Sequence, residues 1–64
     1  MPIIDITLLE GRDLATKKIL MREVTDAVEK SLGSPRSSIR VLVRDVPKSH
    51  FSVGGIPKDE LDEK

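Results

Sequence analysis

The sequence predicts a small α/β subunit (α+β in some schemes) of βαβ type, with two parallel strands, one long helix between them and a short C-terminal hairpin. Two aliphatic, β-branched runs at 3–9 and 39–46 are too short for useful helices and read as strands. Between them, residues 14–32 carry apolar side chains at helical spacing. A Gly-Gly pair at 54–55 sits inside a third, shorter β-like stretch. Two strands joined by a helix imply parallel pairing and a right-handed crossover.

The first strand starts directly behind Pro2, and alternation puts Pro2, Ile4, Ile6 and Leu8 on one face and Ile3, Asp5, Thr7 and Leu9 on the other. Both faces are substantially apolar, as expected of a strand covered on both sides. Asp5 is the exception and reads as a solvated or paired edge position. Glu10-Gly11-Arg12 breaks the pattern, and Asp13 is a suitable N-cap. Leu20, Val24, Ala27, Val28 and Leu32, flanked by Ile19, form the expected apolar stripe of the helix. Charged residues fill the other faces, and the Arg22/Asp26 and Asp26/Lys30 spacings permit surface ion pairs. Gly33 suits the left-handed position that ends a helix, and Pro35 forbids continuation. In the second strand Ile39, Val41 and Val43 share one face, with Arg40, Leu42 and Arg44 on the other. Pro47 ends it. Residues 49–56 then read as a tight hairpin, and the charged tail from Pro57 to Lys64 is expected to fray unless it packs on a neighbour.

With 64 residues the chain is expected to form one domain spanning 1–64. A domain of this size buries only about 60% of the surface its unfolded chain exposes, and small scaffolds compensate with disulfides, metal or association. Cysteine is absent, and His50, the single histidine, has no second histidine or cysteine to complete a zinc set. Self-association is the remaining remedy, because one helix on a two-stranded sheet leaves an apolar face and both edges uncovered. Eleven basic residues balance eleven acidic ones, so no net field favours nucleic acid or an anionic membrane. Phe51 is the only aromatic residue on which a base could stack. No run approaches the ~20 apolar residues of a membrane span, and the expected location is cytoplasmic.

Pro2 is the first chemical candidate. A proline nitrogen at a chain terminus is a secondary amine held in a ring and can act as a general base. The small Pro2 side chain favours removal of Met1; with Met1 attached the nitrogen is an amide and has no basicity. A base working at neutral pH needs a pKa near that pH, and a free secondary amine is too basic. Desolvation by Ile4, Ile6 and Phe51 and the proximity of guanidinium groups would both lower it.

Pro2 behind the initiator, Leu-Glu-Gly-Arg at 9–12, Ser-Ile-Arg-Val at 38–41 and His-Phe-Ser-Val-Gly-Gly at 50–55 stand in one register. Together they resemble the 4-oxalocrotonate tautomerase family over residues 2–55. Ser52, where the family often has glycine, Pro47 and Ser49 near His50, and an acidic tail depart from its pattern. The resemblance implies a βαβ subunit, usually assembled as a homohexamer built as a trimer of dimers, with no metal and no cofactor. It puts Pro2 in the place of the catalytic base, Arg12 in that of the arginine holding the far carboxylate of the substrate, and Arg40 in that of the arginine binding the near carboxylate and adjacent oxygen. Phe51 matches the hydrophobic wall, with Leu9 and Val53 completing the apolar lining. The implied substrate is an unsaturated oxo or hydroxy dicarboxylate, usually 2-hydroxymuconate from aromatic catabolism, isomerised to 2-oxo-3-hexenedioate.

Arginine binds carboxylate through a planar fork and stays charged, so Arg12 and Arg40 suit a dianion and charge developing on its oxygen. The first strand rises about 3.3 Å per residue, or roughly 23 Å in all. Arg12 therefore lies at the far end from Pro2 of its own chain, and a site using both takes Arg12 from another subunit. Arg40 opens the second strand near Pro2; it can serve the same or an adjacent chain, and the resemblance implies a neighbour. Histidine is a residue type suited to acid or base work, but His50 reads as a turn residue beside Phe51. Two other readings stand beside the isomerase: a dehalogenase or decarboxylase using the same amine and arginines, and a non-catalytic oligomeric module that retains Met1.

Overall fold

The computed structural model describes residues 1–61; the last three residues of the expected tail lie outside the described residues. Strand β1 (Ile3–Leu9) is followed by helix α1 (Leu14–Leu32) and strand β2 (Arg40–Val46), with a 3-10 turn at Arg36–Ser38 leading into β2. Strands β1 and β2 pair in parallel, from Ile3 opposite Arg40 to Leu9 opposite Val46. Ile39 lies just outside the strand as the extended residue ending the 3-10 turn. A second 3-10 turn (Lys48–His50) leads to the antiparallel strands β3 (Ser52–Val53) and β4 (Ile56–Pro57).

The helix begins where its first free amides find an acceptor. Asp13 is extended, and its side chain accepts the Thr16 N–H at 2.8 Å. The helix stops where Gly33 turns left-handed, at φ 70°, and its N–H caps the Glu29 carbonyl at 3.0 Å. Lys17, Leu20, Met21, Val24, Thr25 and Val28 make up the half-buried stripe of α1. Ile19, Ala27 and Leu32, expected in or beside that stripe, are exposed: the single sheet is too narrow to cover a wider band. Lys17 pairs with Asp45, tying α1 to β2. Asp26 takes neither Arg22 nor Lys30 but Arg36, at 2.6 Å, and Arg36 also reaches Glu29 at 3.1 Å. One guanidinium thus clamps the turn before β2 onto the last part of the helix.

Side-chain alternation in β1 holds through Leu8, with Ile4, Ile6 and Leu8 half-buried and Ile3, Asp5 and Thr7 exposed, but Leu9, expected on the face of Ile3, is half-buried as well. Only Ile39 among the described residues is buried, at 9% exposed. The opposite sheet face is open, with Ile3 63% and Leu42 42% exposed. Beyond Pro47 the chain forms an arm whose elements pack chiefly on one another. Gly54 and Gly55 take φ 61° and 83°, the positive pair required by a two-residue hairpin turn that matches strand twist. Pro57, expected to open the tail, instead closes β4, where its missing N–H lies on a two-stranded edge. Lys58–Leu61 forms one helical turn rather than a frayed end, held by the Lys58 N–H on the Phe51 carbonyl at 2.6 Å. No helix among the described residues is long and apolar enough to cross a membrane.

The N-cap has a pH signature. Hydrogen bonds from Thr16, side chain first and backbone next, hold the Asp13 carboxyl below its ordinary value of 3.8. A carboxyl more acidic when folded stabilises the fold above the unfolded-state pKa, and that contribution disappears as pH falls through the folded-state value. Asp13→Ala is expected to lower the Tm at pH 7, with the gap to the parent protein narrowing once pH drops below about 3.8, as followed by circular dichroism melts.

Candidate active site

The parallel register sorts the six candidate residues into two groups. Pro2 and Arg40 occupy the starting end of the sheet, joined where the Arg40 N–H donates to the Pro2 carbonyl at 3.0 Å. Leu9 and Arg12 stand at the finishing end, where the Glu10 N–H donates to the Val46 carbonyl at 3.0 Å. The arm carrying Phe51 and Val53 leaves the sheet from that same end. Both of those side chains are exposed, at 38% and 56%. The residues of the expected site are not brought together within one chain; each end of the sheet presents part of the set.

Pro2 itself is half-buried, with Met1 exposed ahead of it. Its ring is anchored to the start of β1, so an amine formed there by loss of Met1 would be held against a fixed backbone. The Arg40 guanidinium donates from Nη1 to the Ser37 carbonyl at 2.8 Å. Ser37 belongs to the 3-10 turn that Arg36 clamps to the helix, so the orientation of Arg40 is set through a chain of contacts running back to Asp26 and Glu29. At the other end, the Arg12 Nη1 reaches the Leu9 carbonyl at 3.4 Å, a weak contact, and pairs with neither Glu10 nor Asp13.

Charge commitment separates the arginines outside the helix. Arg36 is bound to Asp26 and Glu29, and its pKa is raised by Asp26 first and Glu29 next. Arg44 forks onto Asp5, from Nε to Oδ1 at 3.1 Å and from Nη2 to Oδ2 at 3.0 Å. Arg12 and Arg40 contact only carbonyl oxygens among the described residues. These two guanidinium groups stand at opposite ends of the strand pair, neither paired with a carboxylate among the described residues.

His50 lies in the second 3-10 turn, exposed, its N–H on the Pro47 carbonyl at 2.9 Å. No group of three or more His, Cys, Asp or Glu side chains among the described residues could hold a metal ion. Two features were not singled out from the sequence: the Ser37 carbonyl that steers Arg40, and the Asp5–Arg44 fork. The second had a partial signal, since Asp5 reads as a solvated or paired position, but which residue it pairs with depended on strand register.

Residues 2–60 match the model of the tautomerase family, described as tautomerase enzyme. A probable tautomerase of Ralstonia nicotianae is 43% identical over 98% of this chain and 90% of its own length. A 2-hydroxymuconate tautomerase of Pseudomonas putida is 43% identical over 95% of this chain and 97% of its own. Among solved structures, the 4-oxalocrotonate tautomerase homologue of the tomaymycin biosynthetic pathway superposes with a TM-score of 0.95 at 35% identity, covering 98% of this chain and 97% of that one. A heterohexamer 4-oxalocrotonate tautomerase from Chloroflexus aurantiacus does so with a TM-score of 0.89 at 36% identity, covering 95% of this chain and 98% of that one.

Proposed function

The chain belongs to the tautomerase family, and on that premise we propose that it is a cofactor-independent isomerase of the 4-oxalocrotonate type, acting on 2-hydroxymuconate or a related unsaturated 2-oxo acid through the amine of Pro2. The observation that carries this reading is the pairing of Pro2 with Arg40 at one end of the sheet, while Arg12, also without a carboxylate partner, stands at the other.

Loss of Met1 converts the Pro2 amide into a secondary amine. Apolar surroundings and neighbouring guanidinium groups both disfavour its protonated form, so its pKa falls toward the working range of a base at neutral pH. The free amine takes the proton of the 2-hydroxyl. Electron density shifts along the diene as C2–O becomes a carbonyl and C3=C4 forms, and the proton returns at C5. Nothing is oxidised or reduced. Arg40 binds the near carboxylate and stabilises charge on the 2-oxygen, and Arg12 binds the far carboxylate and draws density toward C5. Leu9, Phe51 and Val53 exclude water. Because Pro2 and Arg12 of one chain lie at opposite ends of β1, the working unit is an oligomer of 1–64 domains, with the homohexamer as the assembly consistent with the family.

The decisive experiment is intact mass followed by dienol ketonisation on the same sample. The expected mass lacks Met1, and Pro2→Ala is expected to slow ketonisation by about two to four orders of magnitude, the usual contribution of a positioned base; an unchanged rate would refute the mechanism. Pro2→Ala and Arg12→Ala chains, each inactive alone, are expected to regain activity when co-expressed, since mixed assemblies place an intact Pro2 against an intact Arg12. Carrying both substitutions on one chain beside another doubly substituted chain should restore nothing. His50→Gln is expected to leave the rate and the assembly unchanged, measured by the same assay and by gel filtration.

A further inference from the structure

The open sheet face carries a charge arrangement that the reaction scheme does not use. Side-chain alternation puts Asp5 of β1 and Arg40, Leu42 and Arg44 of β2 on this face, and the register sets Asp5 opposite Leu42. Asp5 therefore lies between two arginines, each two residues from its own cross-strand partner. Its carboxylate is exposed and has one commitment, the two-pronged contact with Arg44 at 3.0 and 3.1 Å. Arg40, on the other side, has only the Ser37 carbonyl for its guanidinium among the described residues.

We propose that Arg44 is a positioning residue for substrate binding: by engaging both oxygens of Asp5 it keeps that carboxylate off Arg40, whose guanidinium stays available to the carboxylate of the substrate. A flexible arginine side chain spans the diagonal of two neighbouring strands, so the released Asp5 would compete with the substrate for the same fork. Occupying both Asp5 oxygens removes the competitor more completely than a single contact would, and the two parallel hydrogen bonds fix its orientation. The inference rests on the reading of Arg40 as a carboxylate-binding residue. It holds whichever protomer supplies the Pro2 that Arg40 faces, because Asp5, Arg40 and Arg44 belong to one chain.

Steady-state ketonisation of 2-hydroxymuconate by the assembled enzyme tests it. Arg44→Ala is expected to raise KM about two- to fivefold, the range of an exposed ion pair, with kcat unchanged, because the competition weakens binding of ground and transition states alike. Arg44→Gln, which keeps the aliphatic stem, serves as the second variant and is expected to act the same way. Adding Asp5→Asn to either variant should return KM to the parent value, a rescue that a merely structural role for Arg44 would not give. An unchanged KM in an assembled Arg44 variant, or a raised KM that Asp5→Asn does not restore, would overturn the proposal. Arg40→Ala, run in parallel, separates the two readings. If it raises KM and the Arg44 variants do not, this inference alone falls; if Arg40→Ala leaves KM unchanged, the assignment of Arg40 falls and takes this inference with it.

Discussion

The parallel pairing of β1 with β2 is the constraint on which the other features depend. Parallel strands cannot be joined by a tight turn, so the chain must cross over the sheet, and α1 with its two caps is that crossing. The same pairing sets Ile3 opposite Arg40 and Leu9 opposite Val46. In consequence Pro2 and Arg40 share one end, and Arg12 and the C-terminal arm share the other. A shift of one residue would turn Arg40 and Arg44 toward the helix and expose Val41 and Val43. The apolar stripe of α1 rules that out, because Ile4, Ile6, Leu8, Val41 and Val43 are the side chains that meet it from the sheet.

Fitting a helix onto two strands leaves much apolar surface outside. The radius of gyration is 15.0 Å, where a compact chain of this length would have about 11 Å. Leu14, Leu32, Val53 and Ile56 remain exposed on the helix ends and arm, as do Ile3 and Leu42 on the open sheet face. A chain this short, with no cysteine and no metal-ligating cluster among its described residues, gains stability when such surface is covered by further protein. The proposed function makes the same demand from chemistry, since the two ends of β1 must meet. Under that proposal, one act of association would serve both stability and catalysis.

Electrostatics on the subunit follow a division of labour among chemically identical side chains. Arg36 is spent on architecture, closing the turn before β2 against the helix, and Arg44 is spent on Asp5. Among the described residues, Arg12 and Arg40 donate hydrogen bonds only to backbone carbonyls from their side chains. Those carbonyl contacts orient a guanidinium without neutralising its charge. Lys17 with Asp45 adds a further tie between helix and strand at the finishing end. Surface pairs of this kind contribute little individually; their value here is in directing which cations remain unmatched.

Local chemistry made most of the fold legible in the residues themselves. The bounds of β1 and α1, the Asp13 cap, the Gly33 stop and the Gly54-Gly55 turn follow from side-chain periodicity and from backbone preferences that act over a few residues. Pro2 could be singled out from its place behind the initiator and the chemistry of a ring amine, whereas Arg12 and Arg40 became site candidates only through the register of motifs that resembles the 4-oxalocrotonate tautomerase family. Tertiary structure decided what local preferences leave open: which strand residues face each other, hence that Asp5 meets Arg44; which anion Arg36 takes, hence that Asp26 turns away from its helical neighbours. It also decided that Ile19, Ala27 and Leu32 stay outside the packed stripe, and that the chain after Pro57 coils once more. Each of these depends on distances between segments far apart in the chain, and such distances exist only after the strands have paired.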